Sequence, residues 1–208
     1  MTWPPMRTLL IAGGIVVGIA VIVLGGWAWW AAAQRRTDAA TAEVLAHVQG
    51  ALLPDATAEA RLGAITELEQ VLQRYPSARS VTESAYELGN LRFAVGQYPA
   101  ARNAYELALR HGGKGLIAAL ARNGVARTWE AERDYPKAAD AYAAQLKDLD
   151  PRSFLYEDAL IDQARALELA GKKTEAIAAY QRVLKEVPTA KRADDVRSRL
   201  ASLGTAAR

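Results

Sequence analysis

The chain is 208 residues long, 51% apolar and free of cysteine, with a formal charge of +3. Without cysteine, disulfides, zinc ribbons and thiol nucleophiles are excluded, and an Ala-rich, aromatic-poor composition favours helix over sheet. The charge excess is local: residues 182–208 hold seven Lys/Arg against three Asp/Glu, and the remainder balances at −1. A basic C-terminal helix of this kind faces either solvent or an anionic lipid, polymer or protein partner.

After a short tail (1–7), Thr8 to Ala33 reads TLLIAGGIVVGIAVIVLGGWAWWAAA, with no charge between Arg7 and Arg35. A run of about 20 apolar residues rising ~1.5 Å each crosses ~30 Å of hydrocarbon. Residues 8–33 are therefore expected to form a membrane anchor. Trp27, Trp29 and Trp30 gather at one end and Trp3 near the other, where interfacial aromatics sit. The competing reading is a signal peptide cleaved after Ala31-Ala32-Ala33, but the run outlasts the about 7–15 residues of a signal core. Positive charge does not orient the span, because Arg7 and the amino terminus face Arg35 and Arg36 across it. Gly14 and Gly18 form a GxxxG pattern that would let a second membrane helix approach closely.

The soluble part, 34–203, repeats itself. Ala101 and Tyr105 recur as Ala138 and Tyr142, then as Ala176 and Tyr180; a diverged first copy has Ala64 and Leu68. The Ala positions are 37, 37 and 38 residues apart, a period that signals stacked supersecondary units. Each copy reads as a helical hairpin. Second helices start near Pro99 and Pro136, where a proline removes only an orphan N–H. Gly96 and Gly171 occupy the preceding turns, where a positive φ is tolerated. Pro76, Gly112-Gly113 and Pro188 supply stops. First helices are expected at 37–53, 79–95, 115–132 and 153–170, with a capping helix at 190–203 and a tail at 204–208. Ser80 with Glu83 reads as a capping box, and Asp150 as the cap of the fourth first helix. The Ala and Tyr positions read as packing residues: a small side chain where helices cross, and a ring filling the gap between hairpins.

SAYELGNLRFAVGQYPAARNAYELALR resembles a tetratricopeptide repeat nearly position for position. Leu88-Gly89 match that family's Leu-Gly pair, Gly96 and Tyr98 its turn, and Ala101, Tyr105 and Ala108 the small, aromatic and small positions of its second helix. Later copies lose the Leu-Gly pair, having Val125-Ala126 and Gln163-Ala164, and the period exceeds the family's usual one. The resemblance implies an all-α chain: one N-terminal transmembrane helix, then a solenoid of about four hairpins plus the capping helix. The overall plan is similar to the ancillary subunit of the bacterial Sec translocon (YfgM-like proteins). That likeness implies a single-pass inner-membrane protein with its repeats in the periplasm, near the translocon and chaperones.

The catalytic inventory is thin. His47 and His111 stand alone, and no HExxH, GxSxG, Walker or dinucleotide motif appears. Acidic pairs such as Glu130/Glu132 read as solvated faces. No enzymatic activity, cofactor, metal or nucleic acid is expected. What a solenoid offers is a concave surface. By the family's geometry it would be lined by Tyr86, Asn90 and Phe93, then Asn123, Arg127 and Glu130, then Ile161, Arg165 and Glu168. Asn90, Arg127 and Arg165 occupy equivalent positions and could hold a peptide backbone or carboxylate. Alternatively, Arg127 and Arg165 pair with the nearby acids. Two functional readings follow: a membrane-tethered adaptor binding protein partners through this groove, or a structural accessory subunit held by its membrane helix.

Overall fold

The computed structural model describes residues 6–204, and side-chain surroundings from Ile15 onward. Of the two expected tails, residues 1–5 and 205–208 lie outside the described residues, as do the surroundings of Gly14. Among the described residues every regular element is helical. The first is α1, Met6–Val48, followed by a 3-10 turn at Gln49–Leu52. Then come α2 Ala58–Arg74, α3 Val81–Ala94, α4 Tyr98–Gly112, α5 Leu116–Ala131, α6 Tyr135–Asp148, α7 Tyr156–Leu169, α8 Lys173–Glu186 and α9 Ala193–Ser202.

The C-terminal part of α1 with α2, then α3 with α4, α5 with α6, and α7 with α8 make four stacked hairpins, each helix packed on its sequence neighbours. This is the expected solenoid, with α9 against α8 at the open end. The expected anchor segment and first repeat helix form one continuous helix. The 43 residues of α1 run unbroken through positions 33–37, about 65 Å at ~1.5 Å per residue. Its apolar half is bare: Ile15 to Leu24 and Trp27, Trp29 and Trp30 are exposed. Among the described residues it is the one helix long and apolar enough to cross a membrane. Beyond Thr37 the same helix turns a face inward, burying Thr41, Leu45 and Val48.

Two expected caps do not form. Ser80 precedes α3 but makes no capping bond; its hydroxyl donates instead to Thr41 Oγ1 at 2.6 Å. The tertiary partner on α1 outcompetes the local one. Asp150 accepts from the Arg152 amide in the loop, and α7 begins only at Tyr156. Genuine caps are Thr57, accepting from Ala60 N, and Asp134, accepting from Lys137 N.

The turns inside hairpins are built alike. In three copies the chain closes each first helix with a pair of bonds: Gly96 N to Phe93 O with Gln97 N to Arg92 O, Arg133 N to Glu130 O with Asp134 N to Trp129 O, and Gly171 N to Glu168 O with Lys172 N to Leu167 O. This Schellman geometry needs a left-handed residue. Gly96 and Gly171 supply it at φ 79° and 75°, but the third copy places Arg133 there at φ 60°. A side chain in that region is strained by roughly 1–2 kcal/mol, partly offset by the greater unfolded-chain freedom of glycine. Arg133→Gly is therefore expected to raise the urea midpoint of the detergent-solubilised chain, by a net of roughly 0.5–1 kcal/mol. A lowered midpoint would refute this.

The repeated Ala and Tyr are core residues. Ala101, Ala138 and Ala176 are fully buried, and Tyr105, Tyr142 and Tyr180 are buried beside them.

Candidate functional site

The first helices α3, α5 and α7 present equivalent positions to one another. Phe93, Glu130 and Glu168 share one register, and Asn90, Arg127 and Arg165 the other. Side chains of successive copies meet across this face in a regular ladder. The Arg127 guanidinium of α5 lies 4.8 Å from the Phe93 ring of α3. Arg165 of α7 grips Glu130 of α5 through both guanidinium nitrogens, NH2 lying 3.1 Å from Oε2. Arg199 of α9 stands 3.6 Å from Glu168 of α7. The capping helix thus supplies the cation that a fifth first helix would have carried.

The buried tyrosines brace this ladder from behind. Tyr142 OH donates to Glu130 at 3.0 Å and Tyr180 OH to Glu168 at 2.9 Å. In the copy where Phe93 replaces the acid, Tyr105 OH donates to Asn90 at 2.9 Å instead. Burial above all pushes the three phenols above their ordinary value, so each remains a hydrogen-bond donor. The rings that fill the core between hairpins therefore also aim the groove's polar groups.

Between α3, α5, α6 and α7 lies a cleft of about 440 Å³ lined by Phe93, Arg127, Glu130, Ala131, Tyr142, Asp162 and Arg165. A second hollow of about 230 Å³ shares Arg165 with it and extends past Ile161 and Tyr180 to Arg199 on α9. Burial pushes the Asp162 carboxyl above the usual carboxylate range, opposed by Arg165. Burial alone would lower the Arg165 guanidinium, but Glu130 and Asp162 more than offset this and raise it. Its charge is spent on two carboxylates. Arg127 is different: it is exposed, rests on an aromatic face, and has no carboxylate within salt-bridge distance among the described residues.

Of the nine groove residues expected from sequence, Phe93, Arg127, Glu130 and Arg165 line the first cleft, and Ile161 and Arg165 the second. Glu168 borders the second through Tyr180 and Arg199. Tyr86 is half-buried with its ring 6.0 Å from that of Tyr105. Asn90 is held between Tyr105 and Glu87. Asn123 is half-buried on α5 and lines neither hollow. Sequence reasoning missed Tyr142, Asp162, Tyr180 and Arg199. The period could have indicated the tyrosines, by placing a phenol 12 residues after each groove acid. It could not have indicated Arg199, which lies on the shorter capping helix. Gly18 has open space where a Cβ would stand. His47 bonds Glu67 at 2.8 Å on the surface, away from the groove. In the basic C-terminal segment Arg182, Arg192, Arg197 and Arg199 are each paired to an acid, whereas Lys185 and Lys191 meet none among the described residues.

Among the described residues no cluster of three or more His, Cys, Asp or Glu is placed to hold a metal ion. The family model of the tetratricopeptide repeat-like domain matches residues 6–205, taking in the apolar part of α1 together with every repeat. No curated protein matches the chain.

Proposed function

Because the chain belongs to the tetratricopeptide repeat-like family, we propose that it is a non-enzymatic, membrane-tethered adaptor that binds an extended segment of a protein partner along the concave face. The carrying observation is Arg127, an exposed cation that lies on Phe93 and meets no carboxylate among the described residues, at a cleft where Glu130 and Asp162 are both engaged by Arg165. Such a group favours a carbonyl- or carboxylate-bearing chain whose apolar side chain packs beside the ring. Tyr86 stands where a two-carboxylate clamp would need a lysine, so one anionic contact is expected rather than two. The exposed apolar half of α1 supports a single span, and tethering raises local concentration near membrane machinery without any added contact. The translocation machinery and periplasmic chaperones are the partners that the chain's plan favours, with the repeats outside the cytoplasm.

Phe93→Ala combined with Arg127→Ala is expected to weaken partner capture from gently solubilised membranes by about 30-fold or more, the loss typical of a truncated anchor. Photo-crosslinking from position 93 should identify the same partner. A double variant that captures normally would defeat the groove reading. A C-terminal reporter active only outside the cytoplasm tests topology, and a cytoplasmic result removes the translocon from consideration. The second reading, an accessory subunit held through α1, is favoured by the open surface at Gly18. It predicts that Gly14→Leu with Gly18→Leu dissociates a complex that the groove variants leave intact.

A further inference from the structure

The continuity of α1 determines which edge of the solenoid faces the bilayer. First helices all begin at the same end of the hairpins, where the loops joining successive copies lie. That end is pinned to α1 by the bond from Ser80 to Thr41, only five residues beyond Arg36, or ~7.5 Å along the helix axis. An unbroken helix leaves no linker through which the domain could swing away.

The unpaired charge on that edge is one-sided. Across the inter-copy segments with the first turns that follow them, 74–83, 110–118, 147–158 and 185–195, nine Lys/Arg stand against eight Asp/Glu. Across the turns at the opposite edge, 48–60, 94–100, 131–137 and 169–175, the count is four against five. Of the acids on the basic edge, all but Glu83 are already engaged: Asp148 with Arg122, Glu186 with Arg182, Asp158 and Asp195 with Arg192, Asp194 with Arg197, and Asp150 and Glu157 with backbone amides. Eight of its nine cations have no carboxylate partner among the described residues, against four in all the rest of 37–204. Four stand in the last turns of second helices, where the carbonyl ends also attract cations. The other four, Arg79, Lys114, Arg152 and Lys191, are exposed in the loops themselves. The same edge carries two bare apolar side chains, Phe154 at 74% exposure and Leu116 at 57%.

We propose that this inter-copy edge is a second membrane contact, docking on anionic lipid headgroups with Phe154 and Leu116 dipping into the interface. Unpaired cations next to exposed apolar tips fit a negatively charged bilayer surface. Docking would hold the solenoid down on the membrane while leaving the concave groove open to a partner. The inference rests on the reading of α1 as a span.

The test uses the full-length chain in lipid nanodiscs. Because the chain has no cysteine, Phe154→Cys or Gln97→Cys gives a single attachment site for bimane. The label at 154 replaces an apolar ring, and the one at 97 reports the opposite edge. In discs containing one-third phosphatidylglycerol, headgroup spin-labelled lipid should quench position 154 several-fold more than position 97. Raising salt from 0.1 to 1 M, which shortens screening from ~10 to ~3 Å, should abolish the difference. So should pure phosphatidylcholine, or Arg79→Glu with Lys114→Glu and Arg152→Glu. Equal, weak quenching at 154 and 97 in a chain that co-elutes with lipid overturns the docking edge and leaves the span intact. A chain that does not enter discs overturns both.

Discussion

Gly89→Ala is expected to destabilise the repeat domain by roughly 1–3 kcal/mol or more, the cost of overpacking a closed core. A Cβ at Gly89 would lie 2.5 Å from Cδ1 and Cε1 of Tyr105, and one at Gly124 would lie 2.6 Å from Cζ of the same ring. The phenol thus fits a slot between α3 and α5 that only bare backbones leave open, and its hydroxyl is tied to Asn90. Gly124→Ala should cost a similar amount. Gly63→Ala provides the contrast. It lies on the exposed face of α2 with nothing within 4 Å of the added carbon, so the helix propensity of Ala should stabilise by roughly 0.5–1 kcal/mol. Urea unfolding of the detergent-solubilised chain reads all three. Tyr105→Leu should relieve part of the Gly89→Ala penalty, giving a clearly non-additive double variant. Additivity, or a stabilising Gly89→Ala, would mean that the ring does not occupy the slot.

The second large effect has the opposite sign. Gln145 is 1% exposed, and both its amide oxygen and nitrogen lack a partner among the described residues. It holds the position that Val71, Ala108 and Val183 occupy in the other copies, all of them buried. A buried unsatisfied polar group costs about 1–3 kcal/mol, and Met follows the same unbranched path without polar hydrogens. Gln145→Met is expected to stabilise by roughly 1–3 kcal/mol and to raise the thermal midpoint by several degrees. An unchanged or lower midpoint would show that the amide finds a partner in solution. A stabilised variant that loses partner binding would mean that the amide serves the groove.

Much of the architecture was legible because it is local and periodic. The 37–38-residue recurrence of Ala and Tyr, the prolines at second-helix starts and the glycines at Gly96 and Gly171 each report a constraint set within one hairpin. The groove was half legible: the period identified the registers of Phe93, Glu130 and Glu168, but not what each would touch. Ser80 shows why. Its local pattern indicates a capping box, yet Thr41, distant in sequence, takes its hydroxyl. Arg133 shows the converse, because the bonds of the turn impose a left-handed backbone on a residue whose own preference opposes it.

By itself, the sequence determined the helical class, the number of hairpins, the apolar N-terminal helix and the absence of cysteine chemistry, since all of these follow from composition and from spacing along the chain. Only the tertiary structure decided that α1 passes without a break from apolar stretch to repeat, that each tyrosine hydroxyl braces a groove side chain, and that Arg165 is held by two carboxylates while Arg127 meets none among the described residues. Those outcomes depend on how far a side chain of one copy reaches toward the next, across roughly 35 residues of chain, and the stacking of hairpins sets that distance where spacing along a single helix does not.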